Sequence, residues 1–294
     1  MLQILDAGLL TTVQDGGRVG WARYGIPPSG PMDPAAFAAA NHLVGNPPNA
    51  AGLEITLTGP LLRTLEEGLI GVCGAEFELW VGGLPVPTWH SVFARAGSLI
   101  RFGQRVSGLR AYLAIAGGLR TPSFLGSQST YLNGEFGGLE GRALRAGDRL
   151  TTGPHDVRDL VEAAGRAWPR DRRPAYSPDP NVRVILGPQD DHFPQDQIAR
   201  FFEAAYEVTP DSDRMGLRLR GTQIEHLGAG GIVSDGIVTG SVQIPPDGQP
   251  IVMMVDHQTT GGYPKIGTVI RADLPLLAQC LPGDRVRFTS VELK

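Results

Sequence analysis

The sequence predicts a mainly β protein with a few short helices, arranged as two β-rich lobes. Short Val, Ile and Leu runs recur along the chain, and turn-forming residues are frequent, with 40 glycines and 24 prolines. This combination favours short strands over long helices, because turn residues end each apolar run after a few positions. A charged, proline-rich segment divides the strands into two groups, and the length of 294 residues is enough for about two domains.

The first lobe is predicted for residues 1–155, and most of it has the pattern of consecutive strands. It opens with a strand at Leu2–Leu5. Asp15-Gly16-Gly17 has the composition of a tight turn, and the valines on either side of it predict a hairpin. Further apolar runs follow at the spacing expected of a barrel or a sandwich. These runs are LEITL, LIGVCGA, FELWVG, SLIRFG and RAYLAIAGG.

One helix interrupts the first lobe. Asp33 is a predicted N-cap, Pro34 suits the first helical position, and Gly45 ends the helix at the position after its C-cap. The preceding segment, YGIPPSGPMD, is too rich in proline and glycine for regular structure. The sequence leaves open whether this loop is a lid over a site or a contact with a partner.

The linker is predicted for residues 156–180, and the second lobe for residues 181–294. Asp156–Trp168 has an amphipathic helical pattern, and the proline-rich PRDRRPAYSPDPN follows it. The second lobe returns to short strands, with helices predicted near Pro194–Ala204 and Asp273–Gln279. Both lobes end in a Gly-Asp turn and an alternating strand, which weakly indicates a duplication.

Composition and charge argue against several classes of partner. A net charge of −4 gives no electrostatic attraction to nucleic acid or to an anionic membrane. No apolar run approaches the ~18 residues of a membrane span, and the N-terminus lacks a basic signal segment. Cys73 and Cys280 lie in apolar surroundings and are predicted to be free, buried thiols. We therefore expect a cytoplasmic protein.

The densest group of polar side chains is DHQTTGGYPKIG, at Asp256–Gly267. The apolar run before it, IVMMV, predicts a buried strand that delivers these side chains to a sheet edge. Gly261-Gly262 permits backbone conformations in which successive N–H groups form an anion-binding nest. Lys265, one of only two lysines in the chain, supplies a cation beside this turn. The same composition is also typical of a solvated hairpin, and the residues alone leave both interpretations open.

Three other segments contain candidate binding residues. Arg214, in SDRMG, can bind a carboxylate or phosphate through two hydrogen bonds, or can pair with the neighbouring Asp213. Gln243, within SVQIPPDG, is predicted to be a buried amide that needs partners. Arg18, in QDGGR, is either a ligand-binding guanidinium or part of a solvated hairpin.

Several common motifs are absent from the sequence. There is no G-x-x-x-x-G-K-[ST] nucleotide loop and no G-x-S-x-G nucleophile elbow. The six histidines show no zinc-binding spacing, so no metal site is predicted. The tripeptide M-K-M, which surrounds a biotinylated lysine, is also missing. Any biotin involved must therefore be attached to another chain.

The motifs together resemble the KipA/allophanate hydrolase subunit 2 family. They are TVQDGGRVGWARYGIPPSGPMD, YLAIAGGL…LGSQST, SDRMGLRLRG and GSVQIPPDGQPI…DHQTTGGYPKIG, in order along nearly the whole chain. The family includes the C-type subunit of prokaryotic 5-oxoprolinase and one half of the carboxyltransferase domain of urea carboxylase. The resemblance implies two cyclophilin-like β-barrels. As partners it implies a KipI-like B-type subunit, together with a LamB/YcsF-like A-type subunit in the case of 5-oxoprolinase.

The resemblance implies an enzyme subunit that acts in ATP-dependent hydrolysis of 5-oxoproline to glutamate. Because the chain has no nucleotide motif, ATP is expected in a site shared with the partner subunits. Two alternatives stay open: carboxyl transfer with a biotin carrier on another chain, and regulation by antagonising an inhibitor of a histidine kinase.

We hypothesise that Lys265 and Asp256 are catalytic and that a backbone anion site lies beside them. Gln243 and Gln258 are expected to bind the lactam amide. The full set assigned to substrate binding is Arg18, Arg214, Gln243, Gln258, Thr259, Thr260, Gly261, Gly262 and Tyr263.

Overall fold

The computed structural model describes residues 1–155, 157–228 and 230–292, apart from the side chains of residues 157–159. The chain forms two compact units. The first comprises Met1–Arg18 and Ser29–Pro174, and the second comprises Val19–Pro28 and Ala175–Lys294. Each unit is built on its own sheet, one a closed barrel and the other nearly closed, so the predicted mainly β fold with two barrel lobes is confirmed.

The first unit contains a ten-stranded antiparallel sheet. Its strands are β1 (Leu2–Asp6), β2 (Leu10–Gln14), β3 (Gly52–Thr56), β4 (Leu61–Thr64), β5 (Gly68–Val81), β6 (Leu84–Val86), β7 (Ser91–Ala94), β8 (Leu99–Ile115), β9 (Leu119–Arg120) and β10 (Arg149–Thr152). The main path runs β2-β3-β8-β4-β1-β10-β9, and β5 pairs with β6, β7 and β8. Side chains such as Leu2, Ile55 and Leu62 are fully buried between these strands and form the core.

The helices of the first unit are α1 (Pro34–Leu43), α2 (Val157–Ala163) and a 3-10 turn at Arg170–Arg172. The predicted N-cap of α1 is confirmed, because the Asp33 carboxylate accepts a hydrogen bond of 3.0 Å from Ala36 N. Gly45 follows the helix with a φ of 78°. Helix α2 starts within the segment that the sequence assigns to a linker, and it ends five residues before the predicted end at Trp168.

Strands β5 and β8 each join two apolar runs that the sequence analysis treats as separate strands. Their pairing continues from Ile70↔Ile115 to Val81↔Ile100, with register shifts that begin at Gly74. Gly74 has a φ of 93°, and a Cβ there would lie 2.5 Å from the carbonyl oxygen of Arg110. A glycine bulge therefore bends β5 without ending it.

The predicted hairpin at Asp15-Gly16-Gly17 is wrong. Strand β2 ends at Gln14 and pairs with β3, and residues 15–33, all of them described, contain no strand. The buried Asp15 carboxylate instead accepts hydrogen bonds from Ser127 Oγ at 2.5 Å and Ser129 Oγ at 2.7 Å. Long-range side-chain contacts thus hold this loop, in a way that local turn composition cannot indicate.

The second unit contains a closed barrel with the order β11-β18-β15-β16-β13-β12-β19. Its strands are β11 (Asn181–Leu186), β12 (Ala205–Val208), β13 (Gly216–Arg220), β14 (Asp235–Gly236), β15 (Ser241–Gln243), β16 (Ile251–Met253), β17 (Thr260–Gly261), β18 (Lys265–Val269) and β19 (Arg285–Ser290). The parallel pair β11–β19 closes the barrel, and β14 and β17 form a separate two-stranded ribbon.

Two helices cover parts of the second unit: α3 (Gln195–Glu203) and α4 (Leu274–Ala278). Helix α3 matches the predicted helix, and its buried Phe201 stacks on Phe288 with ring centroids 4.6 Å apart. A 3-10 turn at Asp190–His192 precedes α3, and another at Ala22–Tyr24 lies in the early segment of this unit.

Both cysteines are free and buried, as predicted, with Cys73 in the first unit and Cys280 in the second. None of the helices that the structure describes has the length and hydrophobicity required to cross a bilayer.

Candidate functional site

The barrel of the second unit brings Lys265 and Gln243 side by side. Lys265 begins β18 and Gln243 ends β15, and the two residues are register partners between these strands. Both side chains are buried, with exposed fractions of 3% and 1%. The predicted catalytic lysine and one predicted substrate-binding amide are therefore neighbours.

The Lys265 ammonium is already neutralised by a residue that the sequence analysis did not select. Its Nζ donates to Asp235 Oδ2 at 2.7 Å and to the carbonyl oxygen of Gly236 at 3.0 Å. The two partners differ in burial: the Lys265 side chain is 4% exposed, whereas that of Asp235 is 53% exposed. The hydrogen bond from Lys265 lowers the pKa of the Asp235 carboxyl.

Gln189 joins the two members of this ion pair. Its Nε2 donates to Asp235 Oδ2 at 3.3 Å, and its Oε1 accepts from the backbone N–H of Lys265 at 3.3 Å. Gln189 lies 76 residues before Lys265, and Asp235 lies 30 residues before it. At such separations a single sequence shows no pattern that links these residues. The Asp235-Gly236 dipeptide predicts a turn, but it does not predict a contact with Lys265.

Arg214 and Asp256 form a buried ion pair. Arg214 Nε donates to Asp256 Oδ2 at 2.8 Å and Nη2 to Oδ1 at 3.3 Å, and both side chains are at most 6% exposed. The backbone N–H of Asp256 also donates to the carbonyl oxygen of Arg214 at 2.9 Å. Asp213 accepts from the backbone N–H groups of Met215 and Gly216. A residue assigned to catalysis and one assigned to substrate binding thus bind each other.

Gln243, Gln258 and Gly261 form a group of amides around a glycine. Gln243 Nε2 donates to the carbonyl oxygen of Tyr263 at 3.3 Å, and Gln258 Nε2 approaches Gln243 Oε1 at 3.5 Å. A Cβ on Gly261 would lie 2.9 Å from Gln243 Nε2 and 2.6 Å from Ile237 Cδ1. Glycine is therefore required here so that both side chains can approach the backbone.

The anion nest expected at Gly261-Gly262 is not formed. Neither glycine has a positive φ, and Gly261 is part of β17, which pairs with β14 at Asp235. A nest needs successive residues in right-handed and left-handed backbone conformations. The extended conformation of a paired strand does not provide them. The pairing places the ribbon's Asp235 against the segment that carries the predicted site.

The other predicted residues of this segment differ in exposure. The side chains of Thr260 and Tyr263 are exposed, whereas Thr259 is partly buried and its carbonyl oxygen accepts from Ile237 N at 3.0 Å. His257 is 3% exposed, and its Nδ1 lies 2.6 Å from the carbonyl oxygen of Gln258. Burial lowers the pKa of the His257 imidazole.

Arg18 belongs to the first unit, unlike the other predicted site residues. It is 2% exposed, donates from Nη2 to the carbonyl oxygen of Ser129, and lies 5.0 Å from the centroid of the Phe136 ring. Within its own unit it packs beside the loop that Asp15 holds.

The arrangement in the second unit has the groups needed to bind a small anionic amide. A buried ammonium attracts an anion strongly because little water screens it, and its present partner is a half-exposed carboxylate. The neighbouring glutamines offer both donors and acceptors to an amide. Among the described residues, no three or more His, Cys, Asp or Glu side chains are grouped to hold a metal ion.

Comparison with known proteins supports the resemblance that the motifs indicate. The sequence model of a family described as carboxyltransferase domain, subdomain A and B, matches residues 24–290. The chain is 38% identical over 297 residues to the C-type 5-oxoprolinase subunit of Escherichia coli, covering 100% of this chain and 92% of that protein. It is 34% identical over 301 residues to urea amidolyase of Saccharomyces cerevisiae, covering 98% of this chain and 16% of that protein.

A solved structure agrees with these sequence matches. The crystal structure of the K. lactis urea amidolyase superposes with a TM-score of 0.92 at 30% identity, covering 99% of this chain and 19% of that one. This chain therefore corresponds to a small part of the urea amidolyases and to nearly the full length of the C-type 5-oxoprolinase subunit. The chain belongs to the carboxyltransferase domain family of subdomains A and B.

Proposed function

We propose that this chain is a subunit of a 5-oxoprolinase complex that hydrolyses 5-oxoproline to glutamate with the consumption of ATP. The observation that carries the proposal is the match to the C-type 5-oxoprolinase subunit of E. coli over 100% of this chain. The buried Lys265 and the adjacent amides support it, because 5-oxoproline carries one carboxylate and one secondary lactam amide.

ATP consumption follows from the chemistry of the substrate. A five-membered lactam is an unstrained amide, and opening it at neutral pH is unfavourable enough to need coupling. The sequence has no nucleotide-binding motif. We therefore place ATP in a site shared with partner subunits, which in this proposal are a KipI-like B-type subunit together with a LamB/YcsF-like A-type subunit. Biotin has no attachment motif here and is not required.

In the proposed site, Lys265 binds the substrate carboxylate or a transient oxyanion. Asp235 occupies the ammonium in the structure, so the incoming anion exchanges with it. The exchange is feasible because the displaced carboxylate is already half exposed and regains water. The fixed ammonium then stabilises negative charge without reorganisation.

The glutamine pair is assigned to the lactam amide. Among the described residues, Gln243 Oε1 receives only a long contact of 3.5 Å from Gln258, so a lactam N–H can replace that contact. The Gln258 side chain is exposed, which leaves its amide free to turn toward the lactam carbonyl. Thr259, Thr260 and Tyr263 surround this position.

The Arg214–Asp256 pair is assigned a positioning role. Its two hydrogen bonds, together with the backbone bond from Asp256 N, fix the start of the segment that carries Gln258 and Lys265. Arg18, in the first unit, remains a proposed contact with the substrate. We expect it to affect binding rather than the chemical step.

The test is ATP hydrolysis by this chain mixed with its B-type and A-type partners, with and without 5-oxoproline. ADP and glutamate should both form, in a reaction that depends on substrate and stops when this chain is omitted. ADP formation without glutamate would contradict the proposal. Turnover that does not depend on this chain would favour the regulatory alternative, which a kinase-inhibition assay measures directly.

A second candidate function is carboxyl transfer, favoured by the family match and by the TM-score of 0.92 with urea amidolyase. Here the same ammonium would bind a carboxylated substrate, and another chain would carry biotin. Addition of a biotinylated carrier, its biotin carboxylase, ATP, bicarbonate and urea should then produce carboxylated urea together with ADP and phosphate, and avidin should abolish this product. Under the leading proposal, avidin has no effect.

A further inference from the structure

A cavity of about 450 Å³ lies within the first unit, between the β5–β6 hairpin and the segment that carries Arg170 and Arg173. Its volume is in the range of small-molecule sites, about 300–1,000 Å³. None of its lining residues belongs to the candidate site in the second unit. It is therefore a separate feature of the chain.

One wall of the cavity is apolar and fixed in place. Trp80 lies over Gly103, where a Cβ would collide with its ring, and the Arg101 guanidinium lies 3.8 Å from the ring centroid. Val106, on the neighbouring strand, is 64% exposed and lines the same cavity. A rigid indole beside an exposed valine offers contact area to an apolar side chain at small entropic cost.

Charges of both signs line the same cavity. Glu76 and Glu78 lie two residues apart on β5 and so share a face of the strand. Arg173 is anchored by hydrogen bonds from Nε and Nη2 to the carbonyl oxygen of Trp168, at 3.3 and 3.1 Å. Within the described part of the chain, the side chains of Glu76 and Arg170 make no hydrogen bond or ion pair. The opposite charges of Glu76 and Arg170 are therefore available to a ligand instead of neutralising each other, and Glu78 Oε2 accepts a long hydrogen bond of 3.4 Å from the backbone N–H of Gln104.

His90 adds a polar atom to this lining. Its Nδ1 lies 2.9 Å from the carbonyl oxygen of Thr88, which can only accept, so Nδ1 carries the proton. When the ring is uncharged, its Nε2 is an acceptor. Together with the two carboxylates, it gives the cavity acceptors suited to an ammonium group.

Two kinds of occupant fit this cavity poorly. Among the described residues, strand β6 pairs only with β5, but Pro85 in the strand and Pro87 just after it lack the N–H groups that an added peptide strand would need. A nucleotide could stack on Trp80, but its phosphates would meet Glu76 and Glu78. Charges of both signs around an apolar wall instead match a ligand that carries both charges itself.

We propose that this cavity binds a zwitterionic α-amino acid with a large apolar side chain. Arg170 binds the α-carboxylate, Glu76 and Glu78 bind the α-ammonium, and Trp80 and Val106 contact the side chain. The proposal does not depend on the 5-oxoprolinase assignment.

The test is isothermal titration of the full-length chain with L-phenylalanine as the probe. We expect saturable binding with one site per chain. Binding should weaken at least tenfold for L-phenylalaninamide, which lacks the carboxylate, and for N-acetyl-L-phenylalanine, which lacks the ammonium. AMP should not compete.

Matched variants locate the binding. Arg170→Ala should weaken binding at least tenfold, whereas Arg172→Ala, exposed on the same 3-10 turn and outside the cavity, should leave it unchanged. Glu78→Gln should weaken binding, with the exposed Glu67→Gln as its control.

Three results would overturn the proposal: no saturable binding by the folded chain, equal binding by the Arg170 and Arg172 variants, or displacement of the probe by AMP. Circular dichroism spectra and melting temperatures of the variants show that the chain is folded in each case.

Discussion

Lys265 combines a buried ammonium with a carboxylate partner that is itself half exposed. The exposed fractions of the two side chains are 4% and 53%. Loss of a buried ion is usually costly because its partner is left uncompensated in a dry interior. Here the partner can return to water, so the lysine can be replaced without leaving a buried charge behind. Stability alone therefore gives little reason for a lysine at this position.

We predict that Lys265→Met lowers the 5-oxoproline-dependent turnover of the complex at least tenfold. The methionine occupies the space of the lysine stem, and the hydrated Asp235 pays little penalty, so the melting temperature should stay the same. Steady-state kinetics and a thermal melt of the same preparation measure both quantities. Near wild-type turnover would remove Lys265 from the site.

Asp235→Asn serves as the partner variant. It removes the charge that competes with the substrate for the ammonium, so the KM for 5-oxoproline should fall about three- to tenfold while kcat changes less. An increased KM would mean that Asp235 helps to bind the substrate rather than competing with it.

In the Arg214–Asp256 pair both side chains are buried, so loss of either one leaves a buried charge without its partner. Removal of one partner of such a pair typically costs about 3–5 kcal/mol. We predict a loss of unfolding free energy of about this size for Asp256→Ala and for Arg214→Met, measured by urea denaturation. The double variant should lose clearly less than the sum of the two. Additive losses would show that the two side chains act independently.

The buried His257 makes stability depend on pH. Burial lowers the pKa of His257 below its usual value of 6.5. Below pH 6.5 the unfolded chain therefore binds more protons than the folded chain, and the free energy of unfolding falls as the pH decreases. We predict that His257→Asn makes this dependence shallower between about pH 7 and pH 5. An unchanged slope in the His257→Asn variant would contradict the prediction.

At the scale of elements, the sequence was sufficient to predict the ends of a helix that are set by neighbouring residues. The carboxylate of Asp33, the ring of Pro34 and the freedom of Gly45 bound α1 at both ends, and all three can be read locally. Strands β5 and β8 are different, because each contains a feature with the composition of a turn. A glycine that bends a strand and a glycine that ends one have the same sequence signal, and only pairing with the neighbouring strand distinguishes them.

Prediction of the site residues from local composition was limited in the same way. Lys265, Gln243 and Gln258 were selected from local composition, and they do lie together. Asp235 and Gln189 were missed because their contacts with Lys265 depend on barrel closure. The backbone nest was wrongly expected at Gly261, where a glycine that frees the backbone cannot be told from one that makes room for side chains.

The bulge in β5 supplies a prediction at this scale. Gly74→Ala should destabilise the protein more than Gly97→Ala, although both residues have positive φ, 93° and 80°. A Cβ at Gly97 meets nothing within 4 Å, whereas one at Gly74 would lie 2.5 Å from the Arg110 carbonyl oxygen. We expect about 1–2 kcal/mol of backbone strain for Gly97→Ala and a further 1–3 kcal/mol of overpacking for Gly74→Ala. Urea denaturation of the two variants measures both; equal losses would exclude the collision as a factor.

At the scale of the whole molecule, each unit contains one buried free cysteine. Cys73 is 0% exposed and Cys280 is 1% exposed. Burial also raises the pKa of the Cys73 thiol, which reduces its thiolate fraction. We predict that neither thiol reacts appreciably with an alkylating reagent at pH 8 in the native state and that both react once the chain unfolds.

Peptide mapping after labelling at increasing urea concentration then reports the opening of each unit separately. Rapid native labelling of Cys73 would contradict its burial. Identical urea midpoints for the two cysteines would show that the units unfold together, and different midpoints would rank their stabilities.

The composition of the second unit has a consequence for synthesis on the ribosome. Val19–Pro28 belongs to this unit, whereas the rest of it begins at Ala175. All of residues 29–174 are therefore translated after the first piece of the unit and before the second. At about 5–20 residues per second, this interval is roughly 7 to 30 s. During that time the early segment has left the ribosome without the rest of the unit to which it belongs. The rest of the unit, residues 175–294, reaches this segment only after that interval.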